Sequence, residues 1–577
     1  MNNIRLFKNT FVVASLLTSI GIYGQEKPQV QKDTLRTESV TVIKTFNPTI
    51  NDAFKIETQI NEKDFKEEVK KVSDFRIQSV PVASTFVPQK AKSLKVKKQR
   101  KKLPPQDYAS LAGGNFGNIE AEAFVSHKID RDATISALLL HQSSQGGIDE
   151  VRVDDFYYDT GLQLTYSKED RKTPWEVYFE AQHQLYNWYG IPNELPLTSQ
   201  QLSEIDPSHT FIDLNAGGDL TLDNDIFKNV ATQIRYFFDD QESKEINFTA
   251  STNTLFSIQD YELKIPVLLD VLSGSFNQEA FLPKTDYQFI NFGVQPSVNL
   301  SYNEIEFRLG ASAYISSDLE NSDTNFFVYP NLLASYQFKE YGVSVFGGVT
   351  GGLIQNTYHE ASANNPFVAP TLTVVPTSEQ FNAFAGIQGN IASQLNYKLK
   401  VAYNSEQDKP LFQNTPTISN AVSQANYGFN NSFSYVYADV NTGSLSGSVA
   451  YNMSSVLELS LTANAFVYNT SGTDEAWNLP NFTAVLNGNY KVNEKLSFDS
   501  QIFYTGSRLD LDGFTNNIAD LEGFVDVNIG ANYKITKNWN AFLKGKNLTN
   551  QNYERWLNFP VQSAQGLIGV RYLFDYK

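Results

Sequence analysis

From Tyr108 to its C-terminus, the chain alternates apolar and polar residues over stretches that are longer than an ordinary strand. In LELSLTANAFV (457–467), odd-numbered positions hold Leu, Ala or Val, and most even-numbered positions hold Glu, Ser, Thr or Asn. IEFRLGASAYI (305–315) and VDVNIGANYKI (525–535) follow the same scheme. Alternation over about ten residues, with charged groups on one face, is typical of a strand between lipid and a water-filled lumen.

The connections between these stretches alternate in length. Polar turns occur near residues 131, 171, 225, 260, 303, 340, 396, 454, 493 and 537. Longer irregular segments cover 190–208, 356–379 and 406–440. Short turns on one edge and long loops on the other are the pattern of an outer-membrane barrel. If both ends of the barrel lie at the turn edge, these ten turns predict an antiparallel barrel of about 22 strands within residues 107–577.

A soluble β-sandwich is the alternative, because its strands alternate too. Sandwich strands are usually about 5–6 residues long, whereas the alternating stretches here run to a dozen residues or more. We therefore favour an all-β transmembrane barrel. The odd-numbered residues of 305–315 and 457–467 are expected to face lipid.

The first 24 residues have the pattern of a secretory leader. Arg5 and Lys8 form the positive region before the apolar run TFVVASLLTSIGIYG. Cleavage is expected around residues 24–26. Beyond this leader no run of about 18 apolar residues occurs, so any membrane-spanning part must consist of strands. The sequence predicts a protein of the outer membrane of a Gram-negative-type cell, with residues 25–106 as an N-terminal extension in the periplasm.

Composition narrows the chemistry. The net charge of −17 argues against a nucleic-acid partner. The absence of Cys excludes disulfides, a lipoprotein anchor and a thiol nucleophile. A lipase-type pair on the outer face needs His beside Ser; His127 follows Ser126, but adjacent strand residues face opposite sides, and His183 has no serine within six residues. Acidic stretches such as 149–159 lack the ligand spacing of a calcium site. We predict no catalytic residues, no metal site and no cofactor.

The C-terminal segment KNLTNQNYERW (546–556), followed by QGLIGVRYLF (565–574), resembles the last hairpin of TonB-dependent receptors. In that family an Asn-Leu-x-Asn…Tyr-Glu motif opens the final extracellular loop. The matching residues are Asn547, Leu548, Asn550, Tyr553 and Glu554. The final strand of the family ends on an aromatic residue, whereas Lys577 follows Tyr576 here. The resemblance implies a 22-stranded barrel that takes up a ligand.

The resemblance also suggests a role for TESVTVIKTFNPTI (37–50), an isolated strand-like stretch near the expected mature N-terminus. Members of the family carry there a short extended segment, the TonB box. The candidate residues are Glu38, Ser39, Val40, Thr41, Val42 and Ile43. Such a segment binds its partner by adding a strand to a sheet edge. The alternative is an unpaired strand-like segment, or one that docks at the barrel mouth.

One departure from the family lies between this segment and the barrel, where receptors of this kind have a plug domain. Residues 51–106 contain no glycine and show little strand alternation. KAKSLKVKKQRKK (90–102) is a strongly basic run, which either contacts lipid phosphates or an acidic partner or is a solvated tether. We therefore expect a reduced or missing plug. What fills the lumen is left open, with residues 51–106 or the long loops as candidates.

The stretch LYNWYGIP (185–192) clusters aromatic residues at the end of a strand. An aromatic girdle at the membrane interface is the preferred interpretation, and stacking on a sugar or peptide is the alternative.

Two functions therefore remain open. One is a TonB-coupled receptor-like barrel that takes up a nutrient and contacts outer-membrane lipid and a TonB-type energy transducer. The other is a plugless barrel that serves as a scaffold or subunit of a complex with surface lipoproteins. The sequence does not identify the ligand.

Overall fold

A computed structural model describes residues 107–259, 261–277, 285–391, 394–417, 426–453 and 456–574. The predicted leader, the box-like segment 37–50, residues 51–106 and the basic run 90–102 lie outside the described residues.

The described residues form a closed antiparallel sheet together with the loops that join its strands. The first strands along the chain are β1 (Asp107–Gly114), β2 (Ile119–Lys128), β3 (Ala133–Ser144), β4 (Tyr157–Lys168), β5 (Trp175–Asn187), β6 (Ser208–Thr221), β7 (Phe227–Asp239), β8 (Lys244–Ile258), β9 (Tyr261–Phe276), β10 (Thr285–Val294), β11 (Ser297–Tyr302), β12 (Ile305–Asp318), β13 (Asp323–Phe338) and β14 (Val343–Ile354). They are followed by β15 (Thr377–Ile391), β16 (Leu395–Asn414), β17 (Phe433–Met453), β18 (Leu457–Ser471), β19 (Phe482–Lys491), β20 (Leu496–Thr505), β21 (Arg508–Leu511), β22 (Ile518–Leu521), β23 (Phe524–Lys534), β24 (Trp539–Lys546), β25 (Glu554–Trp556), β26 (Phe559–Pro560) and β27 (Gln565–Phe574).

Four of these strands and the helices belong to the loops. The pairs β21–β22 and β25–β26 are small hairpins outside the barrel sheet. The helices are α1 (Ser199–Glu204), α2 (Tyr358–Asn364) and a 3₁₀ turn at Asn115–Gly117. No helix within the described ranges has the length and apolar character that crossing a membrane requires.

The sheet closes because its first and last strands pair. β1 and β27 are antiparallel, from Asp107 opposite Phe574 to Gly114 opposite Leu567. β10 and β11 both pair with β9 and β12, and are two halves of one strand interrupted at Pro296, which has no N–H for the ladder. The 23 hydrogen-bonded segments therefore make 22 strands, and the predicted strand number is confirmed.

An ion pair inside the lumen spans this closing seam. Glu120 on β2 accepts from the ammonium groups of Lys544 (2.6 Å) and Lys546 on β24. The contact reaches across both β1 and β27, which lie between these strands. It adds side-chain contacts between the two ends of the barrel chain.

The predicted turns join consecutive strands at one edge of the barrel, where β1 begins and β27 ends. The turn predicted near residue 396 lies slightly earlier, between Ile391 and Leu395. The predicted irregular segment 406–440 is too long, because β16 continues to Asn414 and β17 begins at Phe433. A bulge between Glu406 and Lys409 shifts the register of this pair and hides its alternation in the sequence.

The two faces of the sheet are those that the alternation predicts. Leu309 and Ile315 of β12 and Leu461 of β18 are exposed on the outside. Ser312 and Tyr314 of β12 are buried on the inside. Odd-numbered residues of both predicted strands therefore face outward.

Replacing Leu461 by Arg tests this assignment. Leu461 is 43% exposed and lies between Val449 and Leu486 on the outer face, so the substitution should cost about 2–4 kcal/mol near the bilayer midplane. We expect a lower yield of heat-modifiable barrel in outer membranes. Thr462→Arg, which faces the lumen, should give a near-normal yield; equal losses for both variants would contradict the register.

Candidate functional site

Several long loops turn into the lumen. Segments 188–207, 355–376 and 547–564, together called the lid, contribute buried apolar residues that pack against one another and against the inner wall. The long loops therefore fill part of the lumen from the loop edge, which is one of the two candidates for its contents.

The first contact of the lid is between α2 and the inner wall of β6 to β10. Tyr358 is fully buried and meets the rings of Phe211, Phe237 and Phe276 edge-on, at centroid distances of 6.2, 5.2 and 5.0 Å. Edge-to-face pairs contribute roughly 0.5–1.5 kcal/mol each beyond the burial of area. Apolar residues thus occupy inward positions of the wall where the lid covers it.

Buried carboxylates of the wall hold the start of α2. Glu245 accepts hydrogen bonds from the backbone N–H groups of Tyr358 (2.7 Å) and His359 (3.1 Å) and from the Tyr287 hydroxyl (2.8 Å). The Thr357 side chain accepts from the N–H of Glu360. Because the first N–H groups of a helix lack partners within the helix, Glu245 satisfies donors that would otherwise be buried unpaired, and Thr357 caps the exposed N–H of Glu360.

Two further carboxylates of the wall complete this attachment. Asp239 accepts from the hydroxyl of Tyr358 (2.6 Å) and lies 3.1 Å from Nε2 of His209. Asp213 pairs with Nε of Arg235 (3.1 Å) and with Nε2 of His359 (3.4 Å). Glu245, Asp239 and Asp213, with Tyr358 and His359, are called the latch.

An aromatic cluster joins the lid segments to one another. The rings of Phe367 and Phe559 stack at 3.9 Å, and Tyr189 packs on Phe559 at 4.9 Å. The indole of Trp188 donates to the carbonyl of Phe367 (3.2 Å), and the Tyr189 hydroxyl donates to that of Pro560 (2.9 Å). The three lid segments are therefore one packed unit.

This cluster corrects the interpretation of LYNWYGIP. Trp188 is completely buried, Tyr189 is buried, and Tyr186 packs on the same cluster. The predicted interfacial girdle is wrong for these residues, because the chain turns into the lumen after β5 and their rings meet the other lid segments rather than lipid.

The motif of the closing hairpin lies at the start of the last lid segment. Asn547 and Asn550 adopt left-handed backbone conformations (φ 46° and 50°), and the Asn547 side chain donates to the carbonyls of Gln551 and Gln562. Tyr553 donates to Asp526 (2.8 Å) and stacks on Phe524. Leu548 is exposed, and Glu554 accepts from the N–H of Asn558 (3.2 Å). Four of the motif residues thus shape this segment.

A buried acid lies in the loop hairpin β21–β22. Asp510 accepts from the backbone N–H groups of Asn414 (3.1 Å) and Leu511 (2.8 Å) and is fully buried. Burial raises the pKa of Asp510 to about 7, against the lowering effect of these hydrogen bonds and of nearby Arg508. Arg508 donates to the carbonyl of Glu554 (2.9 Å), which links this hairpin to the lid.

A cavity of about 940 Å³ lies in the lumen beside the lid. Lid residues Tyr189, Phe367, Trp556 and Phe559 line one part of it. Inward-facing amides and hydroxyls of β18 to β20 line another part. Its size falls within the usual range for ligand sites, roughly 300–1,000 Å³, and makes it the candidate binding site.

One His–Ser contact exists that the sequence analysis did not consider. Nε2 of His141 lies 3.2 Å from Oγ of Ser143, and Nδ1 lies 2.8 Å from Oγ1 of Thr160. The spacing of two residues on β3 places both side chains on one face, so the sequence carries this signal. Ser143 is only 2% exposed.

The latch is not predicted by the sequence. Glu245 and Tyr358 are 113 residues apart, and no local pattern pairs them. A partial signal was present, because Phe211, Phe237 and Phe289 occupy inward positions where a water-filled lumen would favour polar residues.

Comparisons with known proteins support the fold. No protein-family model and no curated protein matches the sequence. The FrpB iron transporter from Neisseria meningitidis is similar in structure, with a TM-score of 0.60, 9% identity and 81% of each chain covered. The siderophore receptor PiuA from Acinetobacter baumannii has a TM-score of 0.57 and 10% identity over 82% of each chain. The ferripyoverdine receptor of the outer membrane of Pseudomonas aeruginosa has a TM-score of 0.58 and 14% identity, over 81% of this chain and 72% of that chain.

Identities this low establish the fold alone. The barrel has the 22-stranded architecture of TonB-dependent receptors, so the resemblance predicted from the closing hairpin is confirmed for the barrel. The neighbours are named as transporters and receptors rather than as enzymes.

The latch can be tested by replacing Glu245 with Gln. The amide keeps one acceptor oxygen but presents an NH₂ group to donors, so at least one buried N–H at the start of α2 loses its partner, at a cost of about 1–3 kcal/mol. We expect hydrogen exchange in 355–376 to accelerate about tenfold or more. The control is Glu262→Gln, at an exposed carboxylate near the turn edge of β9, which should leave hydrogen exchange in 355–376 unchanged. Equal protection of 355–376 in the two variants would contradict the latch.

The stability of the β21–β22 hairpin should depend on pH through Asp510. Its folded pKa of about 7 exceeds the ordinary value of 3.8, so the folded hairpin retains a proton that the opened hairpin releases. Protection of 506–523, corrected for intrinsic exchange, should be highest near pH 4, decrease as pH rises to about 7, and then level off. Asp510→Asn should lack this decrease and be better protected than the natural chain at pH 8; a parallel pH profile would exclude this cause.

Proposed function

We propose that this protein is an outer-membrane receptor of the TonB-dependent type, which takes up a ligand through the lumen beneath its lid. The observation that carries the proposal is a 22-stranded barrel whose lumen is covered by its own loops and contains a ligand-sized cavity. The iron and siderophore ligands named for the structural neighbours belong to those proteins.

The proposal orients the barrel with its short turns in the periplasm and its lid at the cell surface. Outer-membrane barrels have short periplasmic turns and longer extracellular loops. β1 begins at the turn edge. In this orientation the N-terminal extension is therefore connected to the barrel at its periplasmic edge.

Gating follows from the latch and the aromatic cluster. A ligand from outside must displace the lid, which breaks the contacts of Tyr358 with the wall and the hydrogen bonds to Glu245 and Asp239. The same segment also binds β10, where Asn291 donates to Gln355 (2.7 Å), and β17, where Phe433 pairs with it through backbone hydrogen bonds and the Tyr437 hydroxyl accepts from the N–H of Val375. Lifting the segment breaks these contacts too, while the barrel strands keep their pairing with one another. In the proposal, the loops perform from the outer side the closing role that a plug performs in the family.

Coupling to an energy source is assigned to Glu38–Ile43. Between this segment and Asp107 lie 63 residues, which in extended form reach up to roughly 200 Å. Such a tether is long enough to carry the box away from the barrel and transmit a pull. In sequence, the basic run 90–102 precedes the start of β1 by four residues.

Replacing Val42 by Pro tests the coupling. Proline removes a main-chain donor and fixes φ, so strand addition to a TonB-type partner should fail. We expect the full-length variant to lose capture of the partner's periplasmic domain by at least tenfold, with a normal yield of heat-modifiable barrel. Thr34→Pro, the same change in the expected extension but outside the box, is the control; equal capture by all three proteins would reject the coupling.

A further inference from the structure

Resting on the proposed uptake function, we infer that the cavity beneath the lid binds a neutral, hydroxyl-rich ligand of the oligosaccharide class. Three properties of the described lining residues support it: a wall of uncharged polar side chains, buried polar atoms without partners, and equal numbers of acidic and basic side chains.

The polar wall lies on neighbouring strands. Gln501 of β20 donates to Oδ1 of Asn487 on β19 (3.1 Å), and Asn464 of β18 donates to Thr483 of β19 (3.3 Å). Ser460 and Thr462 of β18 lie in the same lining. Amides and hydroxyls offer donors and acceptors together, which is what a sugar hydroxyl needs because it both donates and accepts.

Several lining groups have a buried polar atom without a partner. Oε1 of Gln501, Oε1 of Gln562, Oδ1 of Asn187 and Nε1 of Trp556 make no hydrogen bond within the structure, and each residue is more than nine-tenths buried. Buried polar groups are almost always paired in native proteins. The same holds for Thr442, Asn478, Arg508 and Asp526 of the lining, so six of the eight such residues are uncharged and the other two carry opposite charges. A ligand, or the water that it displaces, explains these groups around the same cavity.

Charge decides against an anionic metal chelate. The described lining contains four acidic and four basic side chains. Lys409 is paired with Glu406, Lys546 is paired with Glu120, and Arg508 donates to two backbone carbonyls. Recognition of a polyanion needs cationic groups in excess, and the balance of the lining gives no such excess.

Aromatic side chains complete the match to a sugar. Phe412, Tyr435 and Trp556 line the cavity and pack on one another, with the Phe412 ring 4.9 Å from Tyr435 and 5.1 Å from Trp556. A sugar ring has an apolar face and a polar edge, and the cavity offers both kinds of surface. A free peptide carries charged termini that would need unpaired counter-charges, so it fits less well.

The test is binding to the purified full chain in detergent, measured by calorimetry and by saturation-transfer NMR. The probes are maltotriose, cellotriose and chitotriose, compared with the ferric complex of enterobactin and with trialanine. Each probe is also measured with Glu245→Gln, so that a closed lid does not conceal the cavity. We expect at least one neutral trisaccharide to bind and the ferric chelate not to bind.

Substitutions place the binding. Gln501→Leu and Asn464→Leu should each weaken trisaccharide binding about tenfold or more, because each removes a hydrogen-bonding group that the ligand uses. Gln388→Leu is the matched control, at an amide of β15 outside the cavity lining, and should bind normally. Heat-modifiable migration verifies that each variant is folded.

The outcomes separate this inference from the uptake proposal. Binding of the ferric chelate or trialanine that is sensitive to Gln501→Leu overturns the ligand class and leaves uptake standing. No binding of any trisaccharide, in either lid background, also overturns the ligand class. Trisaccharide binding without import by cells that carry the protein supports the ligand class and counts against uptake.

Discussion

Closure of the hydrogen-bond ladder is the constraint on which the rest of the structure depends. In lipid, an unpaired N–H or C=O has no water to bind and costs several kcal/mol. Each barrel strand must therefore have two neighbours, and the first and last strands must find each other across the whole length of the chain. β1 and β27 do so without a gap from Asp107 to Gly114. The contact of Glu120 with Lys544 and Lys546 adds side-chain interactions across the β1–β27 seam, whose two strands are not joined by a turn.

Closure with 22 strands creates a second requirement, because a barrel of this size has a wide lumen. Part of this space is filled by loops, and the residues of the inner wall differ from one sector of the barrel to another. Near the loop edge of β6 to β10, inward aromatic and aliphatic residues pack under α2, beside the carboxylates of the latch. On β18 to β20, inward positions carry amides and hydroxyls that line the cavity. The residue types on the inner face of each strand thus match what that face contacts, packed loop or cavity, as the apolar residues on the outer face match lipid.

The sequence predicts what depends on local periodicity. Leu461 outward and Thr462 inward follow from alternation alone, and the strand number follows from counting polar turns. Prediction from the sequence fails where the same pattern of residues is compatible with two different environments. Aromatic residues after β5 suit a membrane girdle and a packed lid equally, and only the direction of the chain after Asn187 separates them. It also fails where a bulge breaks the period, as at Glu406–Lys409. Local periodicity does not predict the latch, because Glu245 and Tyr358 are 113 residues apart in the chain.

The chemistry of the latch explains why a lid can be both ordered and able to open. Glu245 and Asp239 accept hydrogen bonds from the loop when the lid is packed, and water can replace those bonds when it lifts. The net loss per hydrogen bond is then only about 0.5–1.5 kcal/mol. The larger cost of opening comes from the aromatic contacts of Tyr358, Phe367 and Phe559, which water does not replace. A ligand that satisfies the unpaired groups of the cavity contributes free energy of the same order. Lid packing alone therefore keeps the lid closed without ligand, and the hydrogen bonds of a bound ligand in the cavity offset the cost of opening it.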